Sequence, residues 1–255
     1  MNPCPQRIVC LSAESADWLW RIGAWKKVAG VTAYFNAPPE AASRPYVSGF
    51  SSANVEAILR LEPDLVITYS DVQAALAATL VERGLTVLAT NQRTLAETEA
   101  TLILLARIVD CGIMAEKLLA EFHRRLAPVP HSARRPRVYF EEWNNPLVAG
   151  IGWVSELIER AGGADVFSSL RTGHAVSQRV VTPEQVIQAD PEIIFASWCG
   201  KPLDAAAMAA RPGWEKISAI RNKQVHELPG DDILQPGFRL VQGFERMKQI
   251  IQSLA

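Results

Sequence analysis

An internal repeat constrains the fold of this chain more than any other feature. In the first copy Asn54 precedes Val55-Glu56-Ala57-Ile58-Leu59-Arg60-Leu61, Glu62-Pro63-Asp64 interrupts it, and Leu65-Val66-Ile67 leads into Thr68-Tyr69-Ser70. In the second, Thr182 precedes Pro183-Glu184-Gln185-Val186-Ile187-Gln188-Ala189, Asp190-Pro191-Glu192 interrupts it, and Ile193-Ile194-Phe195 leads into Ala196-Ser197-Trp198. Self-similarity on this scale sets architecture before any local motif does. Asn and Thr accept hydrogen bonds from the free N–H groups of a first helical turn, and Pro183 sits where a missing N–H costs nothing. The residue before each interrupting proline is driven out of the helical region, which ends the helix. A short, wholly apolar strand follows, as in a parallel sheet covered on both faces. The chain is therefore read as two α/β halves. Each delivers an aromatic, Tyr69 or Trp198, at the carboxyl end of a strand, where open α/β sheets bind ligands.

The rest of the chain extends this plan. Opening strands are expected at residues 7–11 and 137–140, a short helix at 15–22 and a strand at 28–31. Each half continues with a further helix and strand, at 72–83 and 85–88 in the first and at 203–210 and 224–228 in the second. Between the halves, residues 94–109 and 113–127 have helical apolar spacing, with Cys111-Gly112 interrupting and Pro128, Pro130 and Pro136 ending the run. A helix of about 15 residues spans about 22 Å, enough to join two lobes. The expected fold is α/β, two similar lobes with central, mostly parallel sheets joined by one long helix. The lobes are placed at residues 1–111 and 134–255, and the interlobe helix at 112–133.

Composition narrows the function classes. The 255 residues are 49% apolar and 21% charged with a formal net charge of -1, so no one-signed field points to nucleic acid or to a membrane surface. Arg134, Arg135 and Arg137 lie in a Pro-rich stretch and read as a solvated linker. The segment Met1-Asn2-Pro3-Cys4-Pro5-Gln6-Arg7 lacks the pattern of a secretory signal, so as written the chain is expected in the cytoplasm. No apolar run approaches the ~20 residues of a membrane span, and membrane insertion is not expected. Cys4, Cys10, Cys111 and Cys199 form no CxxC pair, which reads as reduced thiols rather than a zinc site or disulfide framework. A monomer is expected.

Flat, rigid rings offer a ligand large apolar area at little entropic cost. Tyr69 and Trp198 either grip such a ligand or cap the cores of their lobes, and their matched positions favour the ligand. Trp143, leaving the opening strand of the second lobe, has the same two readings. Trp18, Trp20, Trp25, Trp153 and Trp214 fall in or beside expected helices and read as packing. Cys199, beside Gly200 and Lys201 at a strand end, is either a buried inert thiol or a low-pKa nucleophile or metal ligand, with His174 as a possible companion. Glu141, Glu142, Asp231 and Asp232 are either surface acids or hydrogen-bonding groups on a ligand rim.

The order and spacing of several segments resemble the periplasmic-binding-protein fold whose lobes are joined by a single long helix, and most closely its vitamin B12-binding members of ABC transporters. The segments are Arg7-Ile8-Val9 with Leu11-Ser12, the loop Tyr34-Phe35-Asn36-Ala37-Pro38-Pro39, Val47-Ser48-Gly49-Phe50, Val181-Thr182-Pro183-Glu184-Gln185-Val186, and Asp190-Pro191-Glu192-Ile193-Ile194. The resemblance spans nearly the whole chain. It implies a solute-binding protein, not an enzyme, holding a cobalamin-like corrinoid in the interlobe cleft, with no catalytic cofactor. A haem or ferric-siderophore binder is the alternative, as is a cytosolic enzyme or metal-handling protein that reuses the fold with Cys199. It also implies that Tyr34, Phe50 and Tyr69 are first-lobe contacts. The second lobe departs from the B12-binding pattern, since Asp231 and Asp232 stand where those members have an aromatic. An ABC permease would dock on one exposed carboxylate per lobe; here Ala74 falls at the first such position, leaving Asp71 nearby and Asp204 or Glu215 on the second lobe.

Overall fold

The structure is a computed structural model that describes residues 4–130 and 134–254. Its contacts divide the chain into two compact units, Met1–Gln92 with Ala96–Phe122, and Arg93–Leu95 with His123–Ala255. Unit 1 opens with β1 (Ile8–Cys10), α1 (Ala13–Arg21), β2 (Val28–Thr32) and β3 (Tyr46–Ser48), followed by α2 (Val55–Arg60), β4 (Leu65–Tyr69), α3 (Ala74–Glu82) and β5 (Val87–Thr90). Helices α4 (Leu95–Val109) and α5 (Gly112–Arg125) follow. Unit 2 contains β6 (Arg137–Asn144), β7 (Leu147–Ala149), α6 (Gly152–Arg160), β8 (Ala164–Asp165), β9 (Val180–Val181), α7 (Pro183–Ala189) and β10 (Ile193–Ala196). It closes with α8 (Ala205–Ala209), α9 (Ser218–Arg221), β11 (Val225–Glu227), α10 (Gly230–Ile233) and α11 (Leu240–Gln252).

The strands of unit 1 form one sheet in the order β3-β2-β1-β4-β5, and every pairing is parallel. Val9, Leu11, Val47, Ile58, Val66 and Leu80 make its core. In unit 2 the order is β11-β10-β6-β7-β9, with β8 against β6. There β6 is parallel to β10 but antiparallel to β7. Tyr139, Val186, Ile194, Met208, Trp214 and Ile217 are among its buried core.

The repeat falls on equivalent places in the two sheets. Strand β4 lies beside β1 with Val66 opposite Val9, and β10 lies beside β6 with Ile194 opposite Tyr139. Asn54 caps α2 by accepting from Ala57 N at 2.9 Å. Thr182 caps α7 in a reciprocal capping box with Gln185. The interrupting residues have a second role. Asp64 accepts from Arg7 N at 2.9 Å while Arg7 Nε donates to Leu61 O at 2.8 Å. Glu192 accepts from Arg137 N at 3.0 Å while Arg137 Nε donates to Asp190 O at 2.8 Å. In each unit an acid after the proline thus clasps the start of the opening strand, and that strand's arginine caps the carbonyls at the helix end.

Several boundaries differ from the sequence expectation. The interlobe helix expected at 112–133 is α5, which stops at Arg125; residues 131–133 lie outside the described residues. Asp110, at φ 59°, separates α4 from α5, and the passage from unit 1 to unit 2 falls inside α5 between Phe122 and His123. Residues 93–95 belong to unit 2 because Trp153 N donates to Arg93 O and Leu95 N to Glu156 Oε2, each at 2.9 Å. Gly152 permits this approach, since a Cβ there would lie 2.4 Å from Arg93 O. The edge strand β3, the β6–β7 hairpin and α11 extend the repeated core and have no counterpart in the sequence expectation.

Candidate functional site

In unit 1, Tyr34, Phe50 and Tyr69 lie at the carboxyl ends of strands. Tyr34 follows β2 and is 43% exposed; Phe50 follows β3 and is 51% exposed. Their rings meet edge to face with centroids 6.1 Å apart. Tyr69 ends β4, half-buried, and its hydroxyl donates to Gln92 O at 3.3 Å. One buried side chain fixes this group. Gln73 Nε2 donates to Leu11 O and to Phe50 O, and Gln73 Oε1 accepts from Tyr69 N, each at 2.9 Å. The ends of β1 and β4 and the Phe50 loop therefore share one amide. Sequence reading missed Gln73, whose only sign was a polar residue shortly after an apolar strand.

At the matching end of unit 2 the aromatics are placed differently. Trp198 is 5% exposed within the core, and its Nε1 donates to Glu141 Oε1 at 3.1 Å. The expectation that Trp198 presents its ring as Tyr69 does is corrected by this burial: its indole completes the core around a fully buried carboxylate. Arg211 pairs with Glu141 through two hydrogen bonds of 2.6 and 2.9 Å and stacks over Trp214 at 4.4 Å. Burial and the neighbouring Glu141 hold the Tyr139 phenol well above its ordinary range. Glu142 is likewise taken up by Arg179, with contacts of 2.5 and 3.0 Å. The acid pair read as a possible ligand rim is thus neutralised by two arginines. Trp143 is half-buried with its Nε1 donating to Asn145 O.

Cys199 is exposed, correcting the reading of a buried thiol. Partial desolvation, with Glu142 nearby, raises its pKa, the opposite of a thiolate nucleophile. His174 is also exposed, and among the described residues no group of three His, Cys, Asp or Glu side chains is arranged to hold a metal. Asp232 is buried and receives Arg239 Nη2 at 2.8 Å, while Asp231 accepts from Gln235 at 3.2 Å. Asp232 is therefore engaged inside unit 2 rather than open to a ligand. Of the acids expected at a permease, Asp71 and Glu215 are exposed, and Asp204 is an exposed cap that accepts from Ala207 N at 2.8 Å.

The model of the family described as "Periplasmic binding protein" matches residues 8–231. The chain belongs to the periplasmic binding protein family. Among its relatives, the cobalamin-binding protein of Halobacterium salinarum is 28% identical over 257 residues, covering 95% of this chain and 68% of that one. The structure of the periplasmic vitamin B12 binding protein BtuF of Vibrio cholerae superposes with a TM-score of 0.74 at 23% identity, covering 98% of this chain and 97% of that one. The structure of the periplasmic heme binding protein HutB of Vibrio cholerae superposes with a TM-score of 0.79 at 18% identity, covering 96% and 98%. These two structures share the fold with this family member. Among the described residues no helix is long and apolar enough to cross a membrane.

Proposed function

We propose that this protein binds a cobalamin-like corrinoid and releases it unchanged. The observation that carries the reading is the exposed Tyr34–Phe50 pair beside Tyr69, held by Gln73 at the carboxyl ends of the unit 1 strands. Large aromatic side chains left in water are costly unless a partner covers them, and a flat macrocycle matches their shape. The cobalamin-binding protein of Halobacterium salinarum, aligned over 95% of this chain, supports the same ligand class. If an ABC permease takes the ligand onward, Asp71 and Glu215 are exposed carboxylates to offer it, while Asp204 caps α8.

Titration with cyanocobalamin, followed by tryptophan fluorescence and visible absorption, tests the reading. Saturable quenching with micromolar or tighter affinity is expected, weakened at least tenfold in Phe50→Ala. A flat titration would overturn it, and a response confined to haemin would move the protein to the tetrapyrrole-iron class.

A further inference from the structure

Strand β11 stands at one end of the unit 2 sheet, with β10 as its neighbour. Ile194 N donates to Gln224 O at 2.8 Å and Leu228 N to Ala196 O at 2.9 Å. A parallel ladder engages alternate residues of each strand, so Val225 and Glu227 turn their backbone N–H and C=O groups to the open side. None of these groups has a hydrogen-bond partner among the described residues. Edge groups of this kind are a template for a further strand. A cavity of about 510 Å³ lies along them, between residues 225–228 and Arg246, Gln249 and Ile250 of α11. An incoming strand would find its backbone partners on β11 and a wall for its side chains on α11.

Cations outnumber acids along this groove. Arg246 lines it and Lys223 lies just before β11; both are exposed, and neither forms an ion pair among the described residues. Glu227 accepts from Leu203 N at 3.1 Å. Val225 packs on the core that holds Ile194, so strand alternation places Glu227 on that face of the sheet and His226 on the other. The His226 ring lies near Phe195, with centroids 6.0 Å apart, and desolvation holds its pKa below the ordinary range, which leaves it uncharged at neutral pH. A second copy of this chain would bring its own Arg246 and Lys223 to the same seam, whereas an acidic segment would neutralise them.

We infer that the β11 edge takes an extended acidic segment of a partner protein as an added strand. Main-chain hydrogen bonds to Val225 and Glu227 supply the attachment, and carboxylates on the segment select it by pairing with Arg246 and Lys223. Apolar side chains at alternate positions of the segment pack on half-buried Ile250. The surface lies wholly within unit 2 and is independent of what the strand-end aromatics of unit 1 bind.

The probe is the peptide fluorescein-Glu-Val-Glu-Val-Glu-Val-amide, titrated with the full chain and followed by anisotropy. Its counterparts are the same peptide with Lys in place of Glu, and two forms N-methylated at the valines or at the glutamates. An added strand pairs through alternate residues, so one N-methylated form should lose binding and the other keep it. Saturable binding of the acidic peptide is expected, about tenfold tighter than that of its lysine counterpart and weakened by added salt. Arg246→Gln should weaken it about tenfold. Val225→Pro should do the same, since it removes an outward N–H and leaves the ladder with β10 intact. No binding of the acidic peptide would overturn the inference, as would equal binding of the lysine peptide, equal binding of the two N-methylated forms, or an unchanged affinity in Arg246→Gln. Sedimentation that shows a dimer of the wild type, lost in Val225→Pro, would assign the edge to a second copy and overturn the acidic partner. Each of these outcomes leaves the corrinoid reading standing.

Discussion

Glu14 illustrates how a single residue sets a property of unit 1. It lies in the first turn of α1, buried, with Oε1 lacking a hydrogen-bond partner. Desolvation pushes its pKa up from an ordinary 4.5 to about 7, partly offset by hydrogen bonds from its own backbone N–H and from Ser12, while Asp17 adds a smaller upward push. Because the folded state holds this proton more tightly than the unfolded chain, the stabilising contribution is full below pH 4.5 and is lost as pH rises through 7. The loss amounts to about 3 kcal/mol by pH 7. Urea denaturation at pH 5 and pH 7.5 should show this decline in the wild type and a much flatter response in Glu14→Gln. Equal slopes in the two proteins would refute the assignment. Cys10, at the end of β1, is pushed to about 12 by burial and stays a thiol throughout.

At the scale of elements, two devices hold strand ends to helix ends. The first is the clasp found in each repeat, where Asp64 or Glu192 accepts from the N–H of the arginine that opens the neighbouring strand. Backbone hydrogen bonds to a charged acceptor contribute about 1.5–3 kcal/mol before solvent exposure reduces them. Asp64→Ala and Glu192→Ala should each cost about 1 kcal/mol, measured by chemical denaturation. A negligible cost in both would show that the clasp is incidental to the repeat. The second device is Gln73, which binds the ends of β1 and β4 to the Phe50 loop. Gln73→Leu leaves two carbonyls and one N–H without this partner, at about 1–3 kcal/mol each if they stay buried. A total cost of about 3 kcal/mol is expected, together with weaker cyanocobalamin binding as Phe50 and Tyr69 lose their register. Unchanged stability and affinity would show that the loops are held by other contacts.

Across the whole molecule, the sequence by itself determined the two α/β units, because caps, proline breaks and apolar strands are local signals written twice in the same order. It also marked Tyr69 by its place at a strand end, whereas Phe50 was marked only by the family resemblance. Only the tertiary structure decided what the second unit does with its matching aromatic. Trp198 and Tyr69 hold the same place in the repeat, yet Trp198 turns inward because Glu141, fully buried beneath it, requires the indole N–H as well as Arg211. Arg211 lies 70 positions from Glu141 and Arg179 lies 37 from Glu142, so no spacing rule shows that these acids are already neutralised. The approach of the Lys201 ammonium to within 5.4 Å of the Trp198 ring centroid and 5.9 Å of that of Trp143 was hidden for the same reason. A residue's type and periodicity fix its element, whereas the charge left over at a site depends on partners that only folding brings together.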